Sequence, residues 1–110
     1  MKKFILILCT LGLFSGAYAA DQVTKTSFKV WGNCESCKKR IEKAVKVDGV
    51  KAAEWNDETK VMTIAFVPSK ITLDQIEQNI AKVGYDTEKF KGDDAAYAKL
   101  PHCCQYDRKK

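Results

Sequence analysis

The chain of 110 residues is short of the features that mark most enzyme classes. It has a single histidine and no phosphate-cradling glycine loop, no serine nucleophile elbow and no HExxH helix. Hydrolase and kinase chemistry therefore lack a carrier. Proline is scarce too, and both copies, Pro68 and Pro101, stand where elements are expected to end. The formal net charge is +5, with the basic residues spread along the chain and no basic stripe interleaved with aromatics. That distribution excludes an evident nucleic-acid surface. No internal repeat or low-complexity segment is visible, and the length suits one domain rather than two lobes.

A spanning helix is also missing. The one long apolar run, Phe4 to Phe14, is shorter than the roughly 20 residues a bilayer crossing requires. It follows Lys2 and Lys3 and leads to Ala17-Tyr18-Ala19. A charged start, an apolar middle and a small-residue end together predict an export signal over residues 1–19. Cleavage there would deliver the chain to the periplasm or the cell exterior, with no membrane span left and a net charge of about +3. Cys9 would leave with the signal. An oxidising compartment would tend to pair the other four cysteines.

What the chain does possess is centred on Cys34-Glu35-Ser36-Cys37. Val30-Trp31-Gly32-Asn33 before it reads as a strand end and a tight loop, and Lys38 to Ile41 after it as a first helical turn. Two sulfurs three positions apart can converge on one point outside such a loop. Backbone N–H groups and the positive end of a helix dipole suit anionic ligand atoms there. That arrangement serves a soft metal ion or a reversible disulfide. The residues alone leave three readings open: metal binding, a thiol–disulfide redox couple, and cysteines that are merely paired.

Around this stretch the pattern is legible. Phe28 and Val30 alternate with polar neighbours as a half-buried strand over 26–30. Cys37, Ile41, Ala44 and Val45 form a helical stripe, with Lys38, Lys39, Arg40, Lys43 and Lys46 on the solvent side. Asp48-Gly49 turns into a strand over 50–55, and Asn56 to Thr59 turns back into Met62, Ile64 and Phe66, a hairpin. Thr72-Leu73-Asp74-Gln75 is a capping box for a helix through Leu73, Ile76, Ile80 and Val83, stopped by Gly84. Residues 87–91 are expected to form a short last strand. The order predicts an α+β fold: a ferredoxin-like βαββαβ sandwich, two helices on one face of a four-stranded antiparallel sheet.

A short C-terminal extension, residues 92–110, lies beyond that plan. Asp93-Asp94 caps a short helix through Ala98, ended by Pro101, and a charged end is expected to fray after Tyr106. Between them stand His102, Cys103 and Cys104. They are candidates for additional metal ligands or for a disulfide, and a helix of about eight residues is long enough to return them toward the first cysteine pair.

Cys34-x-x-Cys37 after a strand, Ile41-Glu42-x-Ala44, Gly49-Val50 and Gly84-Tyr85-Asp86 together resemble the heavy-metal-associated domain. That family includes copper chaperones, modules of copper-transporting ATPases and the periplasmic mercury-binding protein. The resemblance covers most of a domain spanning residues 20–91. It implies a non-catalytic, monomeric carrier of copper(I), with mercury(II) or zinc as alternatives, held by Cys34 and Cys37. It also implies handover to another CxxC protein or a metal-efflux transporter. Tyr85 is expected to sit beside the loop, with Asn33 and Trp31 as further neighbours. Where the family usually has Gly-Met, this chain has Trp31-Gly32. Trp31 is expected to fill the space the methionine takes.

Overall fold

The computed structural model describes residues 22–110. The predicted export signal lies outside them. Three strands, β1 (Thr24–Lys29), β2 (Val50–Trp55) and β3 (Val61–Phe66), form an antiparallel sheet in the order β1-β3-β2. Helices α1 (Glu35–Ala44) and α2 (Leu73–Lys82) complete the ferredoxin-like order, with α1 packed on β2 and α2. Among the described residues no helix is long and apolar enough to cross a membrane.

The alternation read from the sequence sets the register. Phe28 pairs with Met62, and Trp55 pairs with Met62 from the other side. All three side chains are buried with Ile64 and Phe66 against Ile41 and Val45 of α1 and Ile76 and Ile80 of α2. The second helix starts as its box predicts: Gln75 N–H donates to Thr72 Oγ1 at 3.1 Å, and Thr72 N–H donates to Gln75 Oε1 at 2.9 Å. It ends at Gly84, whose φ of 103° is a conformation that side-chain-bearing residues resist.

The fourth strand is reduced to one bridge, Val30 to Thr87. Residues 88–91 do not continue it, because the chain turns at once. Thr87 N–H donates to Phe90 O at 2.8 Å and Phe90 N–H donates back to Thr87 Oγ1 at 3.1 Å. The buried Glu77 carboxylate of α2 accepts from Lys89 N–H at 3.2 Å. Local bonds thus use donors that a ladder would need.

Trp55, at the end of β2, is fully buried, and its indole N–H donates to Val30 O at 3.0 Å. Trp55→Phe keeps an aromatic body but leaves that carbonyl without its indole donor. The expected cost is about 1–3 kcal/mol in urea denaturation. A loss below about 0.5 kcal/mol, the scale of a neutral surface change, would show that this bond does not matter.

Candidate metal centre

The loop from Val30 to Cys34 is fixed where it starts. Val30 N–H donates to Lys60 O and Trp31 N–H to Asp86 O, each at 2.9 Å. Gly32 follows because of what lies beneath it. A Cβ there would come within 3.0 Å of the Trp55 indole and 3.2 Å of Ile41 Cδ1. The space expected for Trp31 is therefore occupied by Trp55, arriving from a strand remote in sequence. Trp31 instead lies half-buried at the edge, with Lys29 Nζ 4.7 Å and Lys109 Nζ 5.6 Å from its ring.

Cys34 is the N-cap of α1, with extended backbone angles and no side-chain cap bond. Its side chain is thus free of a capping role, and the thiol is half-buried at the loop edge. Cys37, one turn in, is fully buried, and its sulfur accepts from Asn33 N–H at 3.3 Å. The two thiols therefore differ in access, one open to an incoming group and one seated in the core. On the outer face of α1, Lys38 is tied to Glu42 at 2.8 Å and to Trp55 O at 3.0 Å, whereas Lys39, Arg40, Lys43 and Lys46 are exposed.

Tyr85 is fully buried at this loop. Its ring stacks on Tyr106 at 5.4 Å and 17°. Its hydroxyl makes no well-formed hydrogen bond, and the Cys37 and Cys104 thiols are its polar neighbours. Burial drives the phenol pKa well up, and the two cysteines push it further the same way.

The extension does return to the loop. α3 (Asp94–Ala98) starts at Asp93, whose carboxylate accepts from Ala96 N–H at 2.8 Å. A single 3₁₀ turn, His102–Cys104, then packs against α1. Cys103 O accepts from Asn33 Nδ2 at 3.2 Å and lies 3.9 Å from Cys34 Sγ. Cys104 is buried and its sulfur is 4.0 Å from the exposed Cys103 sulfur. His102 is exposed at the start of the turn. Among the described residues no three His, Cys, Asp or Glu side chains already surround one point.

The charged end does not fray as expected. Tyr106 is buried, donates to Gly84 O at 2.7 Å and accepts from Asp86 N–H at 2.8 Å. Arg108 reaches the buried Asp86 carboxylate at 2.8 Å and lies 4.5 Å from the Tyr97 ring. Sequence reasoning missed Trp55 under the loop and the Asp86–Tyr106–Arg108 anchor. The available signal was Tyr106 two residues after Cys104, an aromatic in an otherwise charged end.

Residues 33–86 match the model of the heavy-metal-associated domain. The chain is 32% identical over 68 residues to the copper chaperone CopZ of Staphylococcus epidermidis, covering 60% of this chain and all of that protein. It is 39% identical over 88 residues to a copper-exporting P-type ATPase of Staphylococcus saprophyticus, covering 66% of this chain but 11% of the ATPase. Among solved structures, the N-terminal domain of a potential copper-translocating P-type ATPase from Bacillus subtilis, in the Cu(I)-loaded state, superposes with a TM-score of 0.57 at 28% identity. That match covers 60% of this chain and 85% of the other.

Proposed function

The chain belongs to the heavy-metal-associated domain family, and on that premise we propose that it is an exported, non-catalytic carrier of copper(I). The observation that carries the reading is the placement of Cys34 and Cys37 across the first turn of α1, one accessible and one buried. Thiolates are soft donors suited to copper(I). The copper named in CopZ and in the Cu(I)-loaded ATPase domain supports that cargo over mercury(II) or zinc.

Handover follows from the difference in access. A thiolate of a second CxxC protein, or of a metal-efflux transporter, adds to the ion on the Cys34 side. Cys34 leaves first and Cys37 last, so no free ion is released. The export segment makes the redox state of the thiols decisive, since disulfide sulfurs are no longer thiolate donors.

The reduced chain is expected to take up one copper(I) per molecule in native mass spectrometry, and the chain with Cys34 and Cys37 oxidised none at that site. Equal uptake in both states would sink the assignment. Protein recovered from the envelope fraction is expected to begin at or near Ala20, and an intact Met1 on that material would refute cleaved export.

A further inference from the structure

Cys104 is a buried thiol beside the cysteine loop that the proposed two-cysteine site does not use. It is fully buried in the returned extension, and the Tyr85 hydroxyl neighbours both its thiol and that of Cys37. That hydroxyl is itself buried and makes no well-formed hydrogen bond. Leaving such a group unsatisfied costs about 1–3 kcal/mol, and a neutral thiol is too weak an acceptor to offset it. A thiolate is a different neighbour. The same O–H would then donate a charge-assisted hydrogen bond, about twice as strong as a neutral one. The phenol is therefore a donor beside sulfurs that become anionic when they bind an ion.

The rest of the extension holds Cys104 there. Cys103 O is bonded to the Asn33 side chain and touches Cys34 Sγ. Tyr106, two residues on, stacks on Tyr85 and bonds on both sides of it, to Gly84 O and Asp86 N–H. Tyr97 Oη in turn donates to Tyr106 O at 2.7 Å. This is more fixing than a bystander segment requires.

We propose that Cys104 is a third thiolate ligand for the soft ion held by Cys34 and Cys37, with the Tyr85 hydroxyl donating to the bound sulfurs. The inference rests on the assignment of Cys34 and Cys37 as primary ligands. The three sulfurs do not yet share a point. Convergence takes side-chain rotation at half-buried Cys34 and at Cys104, which sits in a turn of three residues. Each thiol that binds loses its proton to solvent, and no redox change is involved. A third sulfur from the same chain also gives the site a ligand that a two-cysteine loop lacks, so release to an acceptor requires the extension to let go.

The test is copper K-edge X-ray absorption on the reduced full chain loaded with one equivalent of copper(I), beside Cys104→Ser, Cys103→Ser and Tyr85→Phe. Three sulfur neighbours are expected in the parent and in Cys103→Ser, and two in Cys104→Ser. In chelator competition Tyr85→Phe is expected to bind about 10-fold more weakly, as loss of a partner that supports a ligand does. Two sulfurs in the parent overturn the inference, and that reading needs no variant to fold. A drop in Cys103→Ser instead of Cys104→Ser overturns the choice of residue. A parent that binds no copper(I), or binds it without sulfur, overturns the primary assignment as well, so the two failures are distinguishable.

Discussion

Replacing Asp86 by alanine is expected to destabilise the protein by about 3 kcal/mol, the loss of a buried carboxylate that accepts several charge-assisted hydrogen bonds. Asp86 is 1% exposed. Its carboxylate accepts from Gly92 N–H at 2.7 Å, from Arg108 Nη2 at 2.8 Å and Nε at 3.0 Å, and from Lys109 N–H at 2.8 Å. Alanine takes the acceptor from the Gly92 and Lys109 N–H groups, leaves Arg108 only Gly92 O and Asp94, and loosens the extension from the cysteine loop. Urea denaturation measures the loss, and limited proteolysis after residue 100 should become fast in the variant. A loss under about 1 kcal/mol, with the extension still protected, would contradict this anchor. The same carboxylate sets an acid limit. Burial alone would raise its pKa, but the bonds from Arg108, Lys109 N–H and Gly92 N–H outweigh burial and hold it at about 2, below the ordinary 3.8. The unfolded chain takes up the proton first as pH falls. The contribution is thus complete above about pH 4 and is lost as pH drops toward 2, an effect of about 2 kcal/mol. Stability of the alanine variant should show that much less dependence on pH over this interval.

The parts of the molecule that could be read from the sequence are those settled by near neighbours. The box at Thr72 and Gln75 closes over three residues, and the Gly84 stop needs only its own φ. The strand–CxxC–helix stretch follows for the same reason. Cys34 must stay extended and Cys37 must face inward for the apolar stripe with Ile41 and Val45 to reach the core.

What escaped is held by distant partners. Trp55 reaches Val30 across 25 positions, Arg108 reaches Asp86 across 22, and Cys103 reaches Asn33 across 70. No periodicity encodes such pairs. The last strand failed for a related reason. Its alternation was too short to compete with the Thr87–Phe90 turn and the Glu77 carboxylate brought in by α2. The return of the extension was foreseeable from chain length, but its lock on Asp86 was not, because Arg108 and Lys109 look like any solvated basic end.

Changing Cys34 and Cys37 together to serine is expected to weaken copper(I) binding by at least about 100-fold. Loss of an outer partner already costs roughly 10–100-fold, and here two direct soft donors are removed. Cys103 and Cys104 remain in that variant but lack the two thiols that face them, so they cannot restore the site at the start of α1. Circular dichroism first establishes whether the variant is folded, which matters because Cys37 is fully buried. The measurement is competition for copper(I) between the reduced chain and a colorimetric chelator, parent beside double variant. The account predicts that the parent holds one equivalent against the chelator and that the folded double variant yields it. A folded double variant that competes as well as the parent would contradict the assignment of Cys34 and Cys37 as the metal ligands.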